Sequence, residues 1–542
     1  MSRLPRRTTG ALLLFLLALN YLARYPRTPH ELGFDAFVFH GMTLSLVQSG
    51  YAKWIIHPLS YLGLYPLSHP SGSFFMLGAL SLSSGVPIEG AILYFDMVLV
   101  AAGLLIAFLL AMEIRREEGL ALLVAALFTL SPRFVTNLLW EIPTRTLFTT
   151  LVPLLVWLLL RWYRTKDLRW LSLLPIVLFL MTSAHRLTVL MSVLLIAFVL
   201  TAMILVTAQT LRIRYASLVL GPRFRRATNV AVIASILVVA SILLVLGGVL
   251  TSYGTGRVAV GSGILAQLSN LAFSLTRSAG FLLPLLPLGV VALYQQRGRG
   301  LKEAFLLMIL VVSIPILSLR QYTGYYIIPF TAIFIGLGLW FVIRKVKRRE
   351  VKFAIAALAL AVSLVSAETV VSFDLQFQPF IDDRSYTHGL YILYSARGTI
   401  VANDGLLGSK ISAVSGAPYL PVGGATTAFQ SPELLTFGFL DPSDLTIVQV
   451  PVTELTLESD SPFLLLGVQA ELDWAEILDR PMSSVSTRTW RVYEPRYLLE
   501  LWDANGGYLA YGKRYDSPFV MSVHAESYKL FEIQGQTLWF IR

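Results

Sequence analysis

GFDAFVFHGMTLSLVQSGYAKWIIHPLSYLGLYPLSHPSG, residues 33–72, lies between two strongly apolar segments yet carries one Asp, three His, one Lys and three Tyr. No part of it is apolar for long enough to cross a bilayer. It reads as a loop outside the membrane, held at the lipid surface by its aromatic residues, within an outer segment over residues 24–86. Such a loop sets a carboxylate, Asp35, and the imidazoles of His40, His57 and His69 beside lipid headgroups. That is a workable place for chemistry on a lipid-linked substrate.

The rest of the chain supplies the membrane. Of its 542 residues 56% are hydrophobic and 14% charged, with a mean hydropathy of +0.68, far from the composition of a globular protein. The chain has no cysteine, which excludes disulfides, thiolate nucleophiles and cysteine metal sites. A net charge of +11 would suggest nucleic acid in a soluble protein. Here the positive residues sit mostly in short loops between apolar runs, so no nucleic-acid partner is implied.

Segments suited to a hydrocarbon core of about 30 Å lie near residues 10–23, 87–112, 119–131, 146–160, 170–184, 187–207, 228–250, 279–294, 304–319, 322–343 and 353–367. The expected fold is an α-helical polytopic membrane protein of about eleven transmembrane helices. MSRLPRRTTG and the apolar run after it read as a retained first helix rather than a cleaved signal, because no small-x-small cleavage pattern follows. Alternate loops hold Arg3, Arg6 and Arg7; Arg115 and Arg116; Arg161, Arg164, Lys166 and Arg169; Arg212 to Arg226; Arg297 to Lys302; and Arg344 to Lys352. They outnumber the basic residues of the other loops, Arg24, Arg27, Lys53, Arg133, Arg145, Arg186, Arg257, Arg277 and Arg320. The bias predicts a cytoplasmic N-terminus, a multi-pass protein of the plasma membrane, and an extracytoplasmic tail.

That tail, 371–542 beyond a transmembrane domain of 1–370, turns acidic and rich in turn formers and reads as a soluble α/β domain. Strands are expected at TIVAND, PYLPVGG, DLTIVQVPV and FLLLGVQ. Helices are expected at GLLGSKISAVSG, DWAEILD and RYLLELWDA, and SYKLFEIQGQTLWFIR reads as a hairpin turning at Gly535.

Several residues outside a simple apolar pattern are candidates for a site. Asp35 among Phe34, Phe37 and Phe39 is a carboxylate beside a low-dielectric surface, and two readings stand, a functional group or a helix cap. His40 falls about 140° round an ideal helix from Asp35, so the two share a site only if the helix begins after Asp35. His57 and His69 precede prolines on extended backbone, where they either contact a ligand or pack at the interface. Asp96 lies inside an apolar segment, as a functional carboxylate or a structural partner to a neighbouring helix. SPRFVTNLLWEIPTR adds Glu141 in a second outer loop, and YGTGRVAVGSG reads as a flexible cap. His185, Arg186 and Arg320, the last near Tyr322, Tyr325 and Tyr326, suit a phosphate or serve as snorkelling anchors. No HExxH or comparable spacing implies a metal.

An amino-terminal helix, then a long outer loop with Gly33, Asp35, His40, Trp54, Pro58, Tyr65-Pro66, His69-Pro70 and Gly72, then the weakly apolar LGALSLSSGVPIE, together resemble the membrane glycosyltransferases of the GT-C class. That class includes the protein mannosyltransferase and oligosaccharyltransferase-like enzymes of prokaryotes. The resemblance implies a GT-C-like fold, a polyprenyl-phosphate-linked sugar as donor, and a catalytic acid in the first outer loop. Asp35 occupies that position and would deprotonate the acceptor, a glycan, lipid or protein, in an inverting transfer whose leaving phosphate Arg186 or Arg320 would offset. Many members pair two acidic residues there; here Ala36 follows Asp35, and a second carboxylate would come from Glu31, Asp96 or Glu141. A divalent cation such as magnesium or manganese stays open as a cofactor.

Two other function classes use similar helices. A transporter or flippase of envelope lipids would favour paired broken helices and leaves the His- and Tyr-rich loop unexplained. A non-catalytic envelope scaffold would tolerate loss of Asp35.

Overall fold

The structure is a computed structural model that describes residues 5–50, 55–56, 64–65, 70–215, 264–295, 300–319, 324–375, 378–394, 399–402, 405–416, 419–421, 447–451, 487–491, 495–501, 527–533 and 536–541. Contacts divide the chain into two compact units. The first comprises residues 1–25, 97–138 and 143–374, the second residues 26–96, 139–142 and 375–542.

The first unit is helical throughout its described residues, and the reason is hydropathy. Six helices, counting Ile88–Ile114, which begins in the second unit, are long and apolar enough to cross a membrane: Ile88–Ile114, Thr144–Thr165, Leu187–Leu205, Gln267–Tyr294, Ile328–Lys345 and Arg349–Leu375. Shorter apolar helices include Arg7–Ala23, Glu118–Thr129 and Leu168–Ala184. The expected span 228–250 and the glycine-rich stretch 253–263 lie outside the described residues.

Ile328–Lys345 is the central helix of this unit. Its apolar window is 78% buried, against 28% for Arg349–Leu375, whose Phe353, Leu358, Val365 and Phe373 face outward as lipid-facing side chains do. Close approach comes from glycine. A side chain at Gly289 would run into the Phe334 carbonyl, and one at Gly338 into the backbone of Leu285 and Gly289. Small residues at such contacts let helices pack in lipid, where no hydrophobic force drives them together. Gly289→Val is therefore expected to lower the thermal midpoint of the detergent-solubilised protein sharply, the overpacking cost being about 1–3 kcal/mol or more. An unchanged melt would show that the helix pair is not close-packed.

The charged loops sort to opposite ends of this unit. At one end Glu113 meets Arg161 at 3.4 Å, Arg164 at 2.8 Å and Lys302 at 3.1 Å. Glu117 meets Arg344 at 3.2 Å, and Glu118 accepts from Thr9 at 2.8 Å. The opposite helix ends carry Arg24, whose guanidinium donates to the Thr129 carbonyl at 2.6 Å, and Arg277, which pairs with Asp374.

The second unit turns the expected loop into structure. Helix Phe34–Ser49 is followed by the short antiparallel pair Ile55–Ile56 and Leu64–Tyr65, helix Gly72–Ser84 and the start of helix Ile88–Ile114. Ala36, Phe39 and Met42 pack with Phe74, Leu77, Ile92 and Ile142, while Phe37, on another face, packs with Ile381, Ala413 and Val414. A helix that is apolar on several faces must be covered on several faces. The cover comes from helix Gly72–Ser84 and from the residues after 378.

The described part of 375–542 contains helices Asp383–Tyr394 and Gly405–Ser415 and a five-stranded sheet. The strand order is Tyr419–Pro421, Thr399–Ala402, Pro495–Leu501, Gln536–Ile541, Ser527–Ile533. Thr399–Ala402 runs parallel to both neighbours, and the last three strands are antiparallel. Ile447–Pro451 pairs separately with Thr487–Arg491. One sequence expectation is corrected: RYLLELWDA is not a helix, because Pro495–Leu501 is a strand within the sheet. Its leucines favour helix by propensity, and pairing on both edges overrides so weak a preference. FLLLGVQ, DWAEILD and the turn at Gly535 lie outside the described residues.

Candidate functional site

Asp35 stands in the first turn of helix Phe34–Ser49, half-buried. Gly33, just before that helix, has φ +98° and ψ 127°, a conformation L side chains rarely adopt. Three chain segments hold the approach to it. The Leu32 amide donates to the Trp140 carbonyl at 3.0 Å, the Gly33 amide to the Pro379 carbonyl at 2.9 Å, and the Ile381 amide to the Glu31 carbonyl at 3.1 Å. Leu32 and Phe380 form an antiparallel bridge. Glu141 lies against the open side of Gly33, where a Cβ would stand 3.1 Å from its Oε1. The turn that carries Asp35 is therefore fixed by backbone hydrogen bonds from residues far apart in sequence.

Because the helix begins at Phe34, Asp35 and His40 fall on different faces of it. His40 turns to Glu31: Nδ1 lies 2.8 Å from Oε1, with Glu31 fully buried and His40 5% exposed. The other Glu31 oxygen, Oε2, is buried without a hydrogen-bond partner among the described residues. Burial raises the Glu31 carboxyl above its ordinary range, and His40 offsets only part of that. Burial works against the His40 imidazolium, but the adjacent Glu31 outweighs it and raises His40 as well.

A second cluster adjoins this pair in the same unit. His30 presents Nδ1 to Glu89 at 2.8 Å and Nε2 to Asp383 at 3.3 Å, and its ring stacks on Tyr386 at 3.9 Å. Two carboxylates facing both ring nitrogens call for two N–H donors, the imidazolium form. Burial opposes that charge, yet Glu89 and Asp383 together raise His30. Asp382 is held low, to about 2, against a burial effect that would raise it, by Lys410 at 2.9 Å and the Ser385 amide at 3.0 Å.

These shifts give stability a sign with pH. Glu31, His30 and His40 all bind protons more tightly folded than unfolded, so the folded state carries more protons and loses stability as pH rises. The histidine contribution is complete below the ordinary value of 6.5 and disappears as pH passes the raised folded values. Amide-exchange protection of residues 31–40 should be greater near about pH 6 than near about pH 8. His40→Gln should reduce that difference; the same difference in the variant would remove the pair from the explanation.

The other sequence-derived candidates are scattered. Asp96 is buried in helix Ile88–Ile114. His185 ends helix Leu168–Ala184, and its Nδ1 accepts from the Leu187 amide at 3.1 Å, which caps the turn Arg186–Val189. The Arg186 side chain, His57, His69 and Arg320 lie outside the described residues. Sequence reading missed His30, Glu89, Asp383 and Tyr386. The one available signal was TPHE, a second imidazole one residue before Glu31. Among the described residues no three His, Asp or Glu side chains group closely enough to hold a metal ion.

No protein-family model matches the chain. No curated protein matches its sequence. The fold does match solved structures. The archaeal oligosaccharyltransferase AglB from Archaeoglobus fulgidus, in complex with an inhibitory peptide and a dolichol-phosphate, aligns at TM-score 0.54 and 12% identity over 91% of this chain and 69% of its own. An Archaeoglobus fulgidus oligosaccharyltransferase in the apo form aligns at TM-score 0.53 and 12% identity over 79% of this chain and 66% of its own, so this chain spans just under two thirds of its length. The arabinofuranosyltransferase AftD from Mycobacteria aligns at 0.52 and 14% over 99% of this chain and 42% of its own. ArnT from Cupriavidus metallidurans, bound to undecaprenyl phosphate, aligns at 0.50 and 12% over 98% of this chain and 97% of its own. With its apolar helices and these neighbours, the chain is a multi-pass membrane protein with a GT-C-like glycosyltransferase fold.

Proposed function

We propose that this protein is an inverting membrane glycosyltransferase that moves a sugar from a polyprenyl-phosphate donor to an extracytoplasmic glycan, lipid or protein. The observation that carries the reading is the Asp35 turn: a half-buried carboxylate in the first turn of helix Phe34–Ser49, just past a glycine-only backbone position and braced from residues 140, 379 and 381. Asp35 takes the proton of the acceptor hydroxyl as that oxygen bonds to the anomeric carbon. The bond from that carbon to the phosphate oxygen breaks, and its electron pair leaves with the lipid phosphate. AglB with dolichol-phosphate and ArnT with undecaprenyl phosphate support a lipid phosphate as leaving group here.

In this reading the loop 24–86 and the tail from 371 lie outside the plasma membrane, the N-terminus lies in the cytoplasm, and about eleven spans separate them. The test is release of lipid phosphate by the purified full chain from a panel of polyprenyl-phosphate-linked hexoses, with an extract of envelope glycans, lipids and proteins as acceptors. Release with one sugar supports the reading and names the donor. No release with any donor, from protein that melts cooperatively, moves the transporter reading ahead.

A further inference from the structure

In the second unit the turn that carries Asp35 is joined to the tail by a very short backbone pairing. The Gly33 amide donates to the Pro379 carbonyl, the Ile381 amide donates to the Glu31 carbonyl, and Leu32 bridges Phe380 in antiparallel register. A two-stranded contact of that length is marginal by itself. His30 stands at its end, one residue before Glu31, and Asp383 follows two residues beyond Ile381. The His30 ring lies between Asp383, at 3.3 Å from Nε2, and Glu89, at 2.8 Å from Nδ1, and stacks on Tyr386. Glu89 is in the first turn of helix Ile88–Ile114, and Asp383 in the first turn of helix Asp383–Tyr394. One side chain thus ties the segment before Phe34–Ser49 to two helix starts.

The groups around the imidazole depend on its charge. Glu89 and Asp383 face its nitrogens, and Tyr386 covers its ring with a hydroxyl hydrogen-bonded to Glu89. Glu31, next in the chain, has His40 as its own partner. On the tail side Lys410, at 2.9 Å, and Arg384, at 3.3 Å, are both engaged with Asp382. A neutral imidazole has one N–H, so it donates to one carboxylate and turns a lone pair toward the other. Burial opposes the charged ring, but Glu89 and Asp383 outweigh burial and raise His30. The contact is therefore complete below the ordinary value of 6.5 and weakens as pH rises through the raised folded value.

We propose that His30 is a positioning residue for sugar transfer: as an imidazolium between Glu89 and Asp383 it keeps residues 379–381 paired with 31–33 and so holds the turn that carries Asp35. The role in transfer rests on Asp35 as the base of the transferase reading; the clasp between loop and tail does not.

The test follows two readouts on the full chain in nanodiscs between about pH 6 and pH 9: amide-exchange protection of peptides covering 379–394, and single-turnover release of lipid phosphate. In wild type both should fall as pH rises, by about tenfold across the range. His30→Arg keeps a planar cation that can lie on Tyr386 and reach both carboxylates without titrating, so both readouts should stay level. His30→Gln should show weak protection and roughly tenfold slower release at every pH, with donor affinity unchanged, because the loss is in the placing of the base. Asp383→Asn, at a side chain 85% exposed and so tolerant of change, should move the wild-type fall to lower pH. A fall that persists in His30→Arg belongs to the His40–Glu31 pair and overturns the proposal, as does protection in His30→Gln equal to wild type or a fall that Asp383→Asn leaves in place. Release that stays level while the 379–394 peptides loosen shows that the clasp does not place Asp35, and overturns it too. No release from any donor, with protection that falls in wild type and stays level in His30→Arg, keeps the clasp and ends the transferase reading instead.

Discussion

Asp35→Asn should lower sugar transfer by about two to four orders of magnitude, the range over which a positioned general base acts. Binding of the polyprenyl-phosphate donor should change by less than a factor of a few. The substitution keeps the side-chain shape and removes the group that accepts a proton. Asp35 occupies the first helical turn as a half-buried residue outside the buried core of its unit, so the fold should survive the change. The measurement is lipid-phosphate release under single-turnover conditions, beside a direct binding assay on the same preparation. Loss of release with binding intact puts Asp35 in the chemical step. Equal release in both proteins would make Asp35 structural and turn the search to Glu141, which lies against the same glycine turn, or to Asp96.

Gly33→Val should cost nearly as much activity by a different route. The φ of +98° is strained for any L residue, at about 1–3 kcal/mol, and a β-branched side chain is the worst case. Its Cβ would also press on the Glu141 carboxylate, 3.1 Å from Oε1. The turn can relieve both strains only by moving, which disturbs the Gly33 amide bond to Pro379 and shifts Asp35. A displacement on the order of 1 Å in a catalytic group costs roughly 100-fold. Transfer should therefore fall with a modest drop in melting midpoint, and Gly33→Ala should show a milder form of both. If Gly33→Val keeps full activity, the turn does not set the position of Asp35.

Legibility differed by kind of property. The stretch 33–72 is expected to be a loop, and among its described residues Phe34–Ser49 is a packed helix rather than irregular chain. His40, a site candidate on sequence, lies on a different face of its helix from Asp35, because the helix starts at Phe34. Its true partner, Glu31, had been considered only as a second acid. The RYLLELWDA strand was misread because an apolar run with leucines has the same local signature in either conformation.

The sequence by itself determined the apolar helices. Hydropathy and charge act on each segment independently, so a local sum suffices. Only the tertiary structure decided which polar groups meet: Glu31 with His40, His30 with Glu89 and Asp383, Leu32 with Phe380, and Arg133 with Tyr325. Those pairings depend on how packed helices and sheet edges bring distant residues to one place. No local pattern records that geometry, because the energy that selects it, burial and hydrogen bonding across the fold, exists only once the chain has closed.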